Sequence, residues 1–192
     1  MVKKKPDALF EEKAVVAGAE VCGAEDVAAA LEDIRRILAA EKIEGPVVCA
    51  EDLFDAARGA GLAAVRPETP EDWLRAAASV VRADYGIAET GTLVRLKSGA
   101  FENNAWTLPP LCFCLLDRCA ISPIPEDLAP ALKACFDEDG NEPRGAFCVT
   151  GPSRTADIEC LLTLGVHGPS RVVVYILGIR GDQEKSFSRY RV

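Results

Sequence analysis

The apolar positions of this chain fall into short runs separated by polar, glycine- and proline-bearing stretches, and the runs alternate between two periods. Over residues 27–40, Leu31, Ile34, Ile37 and Leu38 recur at helical spacing, which predicts an amphipathic helix entered from Glu25-Asp26. Shorter helices are predicted over residues 9–17, 52–60 and 125–136. Another, over 73–78, starts at Thr69-Pro70-Glu71-Asp72, a cap, a first-turn proline and two acids in succession. Residues 19–22, 47–50, 62–65 and 111–116 are short apolar runs of strand length, with 120–123 extending or following the last. Within residues 83–96, Gly91 divides two strand-like runs, and the turn Glu89-Thr90-Gly91-Thr92 suits a hairpin. Loops are predicted over 97–108 and 137–142, and a polar tail over 181–192.

The stretch Thr150-Gly151-Pro152-Ser153-Arg154-Thr155-Ala156-Asp157-Ile158-Glu159 lies between two apolar runs, residues 146–149 and 171–177. That order reads strand, glycine turn, helix, glycine turn, strand: a β-α-β unit with parallel strands. Ser153 is the N-cap candidate. At about 100° per residue, Cys160, Leu161, Leu164, Ile158 and Leu162 fall on both sides of Asp157, so this carboxylate is predicted to face inward. An inward carboxylate needs a partner, Arg154 or the helix amides, and serves either as a buried clamp or as a ligand contact. Short buried strands alternating with helices predict a single domain over 1–192, with a core over about 8–178 and tails at 1–7 and 181–192. The class is α/β: a three-layer, mostly parallel sheet with helices on both faces, made mixed if the hairpin at Gly91 joins it.

With about half its residues apolar and a quarter charged, the chain has the composition of an ordinary globular protein. No apolar run approaches the ~20 residues that span a bilayer. Lys3-Lys4-Lys5-Pro6 is followed by acids rather than an apolar segment, so a cytoplasmic location is predicted. A net charge of −8 disfavours nucleic acid and anionic membrane as partners. From residue 151 onward six Lys/Arg face four Asp/Glu, a surplus of two positive charges that leaves −10 on residues 1–150. That basic end suits an anionic small molecule or an acidic partner, or is a solvated tail.

The eight cysteines mostly lie inside apolar runs, where they act as small hydrophobes rather than a disulfide framework. Cys112-x-Cys114-x4-Cys119 lacks the spacing of zinc ribbons or ferredoxin runs, so no metal is predicted in this chain. His167, the single histidine, stands fourteen residues from Ser153, roughly 20 Å along a helix, which excludes a triad within this unit. Neither G-x-G-x-x-G nor a P-loop pattern occurs. Gly151, Ser153, Arg154 and Thr155 can still make an anion site from amides, hydroxyls and a guanidinium. If the two turns lie on adjacent strand ends, Glu89, Thr90, Gly91, Thr92, Ser153, Arg154 and Asp157 line one polar crevice, with His167 nearby or bonded to backbone.

At these two stretches the sequence resembles the LUD-domain family, that of lactate utilization protein C. The residues that carry the likeness are Ile87-Ala88-Glu89-Thr90-Gly91-Thr92-Leu93-Val94, Leu108-Pro109-Pro110, Thr150 through Glu159, and Leu164-Gly165-Val166-His167-Gly168-Pro169. The chain departs from the family in carrying Cys112 where His is frequent after the prolines, and Asn103-Asn104-Ala105-Trp106 before them. The resemblance implies an α/β fold of the sugar-phosphate isomerase and coenzyme A transferase kind. It also implies a part in lactate, or related organic acid, oxidation to pyruvate. Iron–sulfur clusters are expected in partner subunits of a lactate-oxidation operon and no cofactor in this chain. Two other readings stay open: a stand-alone enzyme or binding protein for an anionic ligand, and a homo-oligomeric scaffold. By fold analogy alone, Glu89 at a strand end is similar to the nucleophilic glutamate of coenzyme A transferases, a likeness that carries no function with it.

Overall fold

The computed structural model describes residues 4–96, 100–137, 145–156, 162–164 and 168–178. Helix α1 (Pro6–Val16) leads into β1 (Glu20–Ala24), and α2 (Val27–Ala40) into β2 (Val47–Cys49). A 3-10 turn and α3 (Phe54–Gly59) precede β3 (Ala64–Val65); α4 (Pro70–Arg75) precedes β4 (Ala78–Ala83). Next come β5 (Tyr85–Ile87), β6 (Thr92–Leu96), α5 (Ala100–Thr107), β7 (Leu111–Asp117) and β8 (Ile121–Ser122). The chain continues through α6 (Ala129–Asp137), β9 (Ala146–Val149), β10 (Arg154–Ala156), β11 (Leu162–Leu164) and β12 (Arg171–Leu177).

Six strands form one wholly parallel sheet in the order β1-β12-β7-β4-β2-β3. Its central strands are buried on both sides, which is why they read as unbroken apolar runs rather than alternating ones. In β7, Leu111, Phe113 and Leu115 enter the core under α2 and α3, beside Leu31, Ile34 and Phe54. Cys112, Cys114 and Leu116 enter the opposite core, under α1 and α5, beside Phe10, Ala14 and Trp106. Helices thus cover both faces, as the alternation predicts. Asp26 starts α2 by accepting the Ala29 N–H at 2.8 Å, and Thr69 and Asp72 form a reciprocal capping box at the start of α4.

A second sheet, β8-β5-β6-β9, holds the hairpin around Gly91, so that hairpin does not make the main sheet mixed. Four predictions need correction. Residues 146–149 do form a strand, but β9 pairs antiparallel with β6 in the small sheet instead of parallel with β12, and its side chains alternate between exposed and half-buried. Among the described residues the helix predicted from Ser153 does not form: β10 and β11 pair antiparallel, with Thr155 registered on Thr163. Leu162-Thr163-Leu164 satisfies a period of two as well as one of 3.6, and strand pairing decided between them. The helix predicted to reach residue 78 stops at Arg75, because Pro46 O takes the Ala77 N–H at 2.9 Å and draws Ala78 into β4. Alanine's helix propensity yields there to the parallel pairing with β2. Finally, the loop predicted over 97–108 contains α5, which buries Ala105 and Trp106; its paired asparagines mask that face in the sequence.

Candidate functional site

The hairpin turn after β5 and the turn after β9 meet. Antiparallel pairing registers Leu93 on Val149, which sets Thr92 beside Thr150. Their hydroxyls are 2.7 Å apart, and Thr90 Oγ1 lies 2.7 Å from Thr92 Oγ1 on the other side. When Thr92 donates one of these two bonds and accepts the other, one O–H proton is left to be donated outward, from Thr90 or Thr150, both exposed. Thr92 between them is buried.

Both turns rest on the last turn of α1. A Cβ built on Gly91 would stand 2.3 Å from Ala14 N, and one on Gly151 would stand 2.4 Å from Ala17 O. These glycines therefore let two backbones touch the helix directly. Arg154 completes the arrangement: its guanidinium lies over Gly18, the residue just past the α1 C-cap, where a Cβ would come within 2.0 Å of Nη2. The cation thereby faces the partially negative end of α1. Ala14 and Gly18 are four residues apart, roughly 6 Å of helix, so the threonine turns and Arg154 share one small rim. Ser153 donates its N–H to Pro169 O at 2.9 Å and packs against Gly168.

Of the residues predicted to line one crevice, Thr90, Gly91 and Thr92 come together with Gly151 and Arg154 around α1, while the described contacts of Glu89 and Ser153 lie with Pro123 and with Gly168 and Pro169. Glu89 donates its backbone N–H to Pro123 O at 3.1 Å and keeps its carboxylate exposed. Thr155 is described in its backbone alone, and Asp157 and His167 lie outside the described residues, as does the inward orientation predicted for Asp157. Sequence reasoning misses Thr150 as a member of the site, and misses α1 as its floor. The glycines at 18, 91 and 151 were the available signal.

The location also differs from expectation. The rim adjoins Gly18, two residues before β1, and Pro169, two residues before β12, so it lies at the amino edge of the parallel sheet. At the carboxyl edge, where open α/β sheets hold ligands, β1, β7 and β12 end on a separate cleft of about 630 Å³. Glu25, Asp26, Asp117, Arg118 and Cys119 line it. Three of its charged residues are engaged: Arg118 pairs with Asp7 at 2.5 Å, Asp117 lies 3.5 Å from Arg82, and Asp26 caps α2.

The thiols divide by environment. Burial pushes Cys49 and Cys112 up to about 12, and Cys114, in the same core as Cys112, is also raised. Such thiols stay protonated and make poor nucleophiles or metal ligands. Among the described residues no three His, Cys, Asp or Glu side chains gather into a metal-binding group. No described helix is long and apolar enough to cross a membrane. What the rim offers chemically is a cation, a spare hydroxyl proton and closely packed backbone, a set suited to a carboxylate or phosphate.

Comparison with known proteins gives likenesses of three kinds, to a family, to curated relatives and to a solved structure. The LUD domain matches residues 50–177, a span that includes both turns. Lactate utilization protein C of Bacillus pumilus is 35% identical over 105 residues, 54% of this chain and 43% of that protein. The uncharacterized protein YkgG of Escherichia coli is 30% identical over 129 residues, 67% of this chain and 53% of its own length. The chain therefore spans about half the length of the curated relatives it matches. A crystal structure of a DUF162 family protein from Deinococcus radiodurans shares the fold with a TM-score of 0.69 at 19% identity, covering 92% of this chain and 100% of that one.

Proposed function

The chain belongs to the LUD-domain family, and on that premise we propose that it takes part in oxidising lactate, or a related organic acid, to pyruvate as a subunit or accessory of an iron–sulfur-dependent system. The observation that carries this reading is the family match across both turns, together with relatives from Bacillus pumilus and Macrococcus caseolyticus named lactate utilization protein C. In this reading the clusters and the electron transfer belong to cytoplasmic partner subunits, and this chain supplies a docking or substrate-holding domain. The fold is read as the sugar-phosphate isomerase and coenzyme A transferase-like kind. Deletion of the gene in its native host tests the proposal. Growth on lactate should be lost while growth on pyruvate persists, and affinity purification at low salt should recover a protein containing iron and acid-labile sulfide. Undiminished growth on lactate would overturn the reading.

One observation favours a second reading, that of a protein holding an anionic small molecule by itself. Arg154 is exposed and has no carboxylate partner among the described residues, and it sits on the same rim as the threonine hydroxyls. A ligand at a hundred times its Kd stabilises a protein by about 2.7 kcal/mol, a shift that thermal denaturation resolves. Lactate, pyruvate, sugar phosphates, nucleotides and coenzyme A esters form the screen. A shift abolished by Arg154→Ala supports the reading, and a shift indifferent to that substitution removes it.

A further inference from the structure

At the amino edge of the sheet, between α4 and α5, lies a groove of about 510 Å³. Its walls are mainly apolar: Pro70, Trp73 and Leu74 from α4, Leu108 and Pro110 from the end of α5, with Asn104 among them. Trp73 also packs edge-on against Phe101 of α5, ring centroids 5.4 Å apart, which holds the two helices together. The described residues leave four large apolar side chains exposed, and two of them, Leu74 at 86% and Leu108 at 52%, belong to this one groove. Scattered exposed leucines are ordinary, but two beside a half-buried tryptophan mark an interaction surface.

We propose that this surface is where two copies of the chain associate, α4 against α4 about a two-fold axis. Two features favour a second copy over a different protein. First, the patch carries its own knob and its own hole. Leu74 projects from the rim of a groove walled by Trp73, Leu108 and Pro110, which is the side-by-side arrangement that an isologous contact requires. Second, the charges complement themselves. Glu71, Leu74 and Arg75 are all exposed and stand at i, i+3 and i+4, one face of the helix. Glu71 forms no ion pair among the described residues, and Arg75 attracts Asp72, three residues before it, without closing one. Antiparallel packing of two α4 helices sets Glu71 of each copy opposite Arg75 of the other, with Leu74 between them. It also opposes the two helix dipoles.

Light scattering on a size-exclusion column, followed by sedimentation equilibrium, reads the association. The wild-type chain should show about twice its 20.5 kDa mass at micromolar concentration. Leu74→Glu, at a side chain too exposed to affect folding, should weaken self-association by about a hundredfold, as loss of a central anchor does. Thermal unfolding of that variant confirms that it is folded. Arg75→Glu alone and Glu71→Lys alone should each weaken the dimer several-fold, and the double exchange Glu71→Lys/Arg75→Glu should restore it. A wild-type monomer throughout the concentration range overturns the proposal. So does a dimer that survives Leu74→Glu, or one that the double exchange fails to restore, since either places the contact elsewhere.

Discussion

Replacing Gly91 with alanine should be among the most damaging single-methyl changes available in this protein. Gly91 has φ +69°, a conformation that costs an L-residue about 1–2 kcal/mol. Its added Cβ would lie 2.3 Å from Ala14 N, 2.6 Å from Lys13 C and 2.7 Å from Ala14 Cα. All three are helix backbone atoms, so no side chain can swing aside, and the hairpin must lift away from α1. Overpacking of that kind costs a further ~1–3 kcal/mol. The sum, about 2–5 kcal/mol, is a large part of the 5–15 kcal/mol that holds a typical domain folded. For a chain of this length it corresponds to a fall in Tm of roughly 4–20 °C. Gly178→Ala is the control. Gly178 has φ +83°, but among the described residues its added Cβ would meet only Arg118 Cβ, at 3.9 Å. It should lose the conformational part alone, roughly 2–8 °C. Calorimetry or circular-dichroism melts of the two variants decide the matter. Equal losses would refute the claim that contact with α1, rather than backbone conformation, makes glycine necessary at 91.

Three further outcomes are expected. Thr92→Val keeps the shape of a buried side chain but severs the bonds to Thr90 and Thr150; because both partners are exposed and can turn to water, urea melts should show a loss of only about 1 kcal/mol. Arg171 bonds Glu20 at 2.5 and 2.9 Å and Glu41 at 2.6 Å, tying β12 to β1 and to the end of α2, so Arg171→Gln should cost about 1–3 kcal/mol in the same assay. Among the described cysteines, the exposed Cys119 and Cys148 should react with a thiol reagent in the native protein while Cys49, Cys112 and Cys114 wait for unfolding, as mass spectrometry of the alkylated chain would show. The same burial carries a pH signature. Cys49 and Cys112 titrate near 12 when folded and near 9 when unfolded, so between those values the native state binds more protons and stability falls as pH rises. Each thiol contributes a slope of about 1.4 kcal/mol per pH unit there, and a flat alkaline limb in urea melts would contradict their burial.

Much of this fold was legible because its strongest signals are local. Helix α2 falls on the predicted residues 27–40, since Asp26 caps it and its apolar stripe repeats at one period over four turns. Strands β2, β7 and β12 announced themselves as apolar runs too short for helices. The candidate site was half legible. The turn chemistry at residues 89–92 and 150–154 pointed to two loops that do meet, through Thr92 and Thr150, although these are separated by 58 residues of chain. The failures share a cause. Ala76-Ala77-Ala78 and Leu162-Thr163-Leu164 satisfy helix and strand alike in isolation, and β2 in one case and an antiparallel partner in the other settled them. Nothing in the spacing of residues 100–107 overcame the loop-like asparagines.

Composition, period and turn residues determined by themselves that this chain is an α/β domain with buried parallel strands, and which two loops carry its unusual residues. They could do so because those properties depend on neighbours within a few positions. Tertiary structure alone decided that the Gly91 hairpin leaves the main sheet, that Arg154 sits over the end of α1, and that the rim lies at the amino edge. Each of these turns on which strand pairs with which and where one helix docks. Such choices are made by backbone hydrogen bonds and packing between segments far apart in the chain, and a Cβ missing at 18, 91 or 151 reveals its purpose only once the opposing backbone is in place.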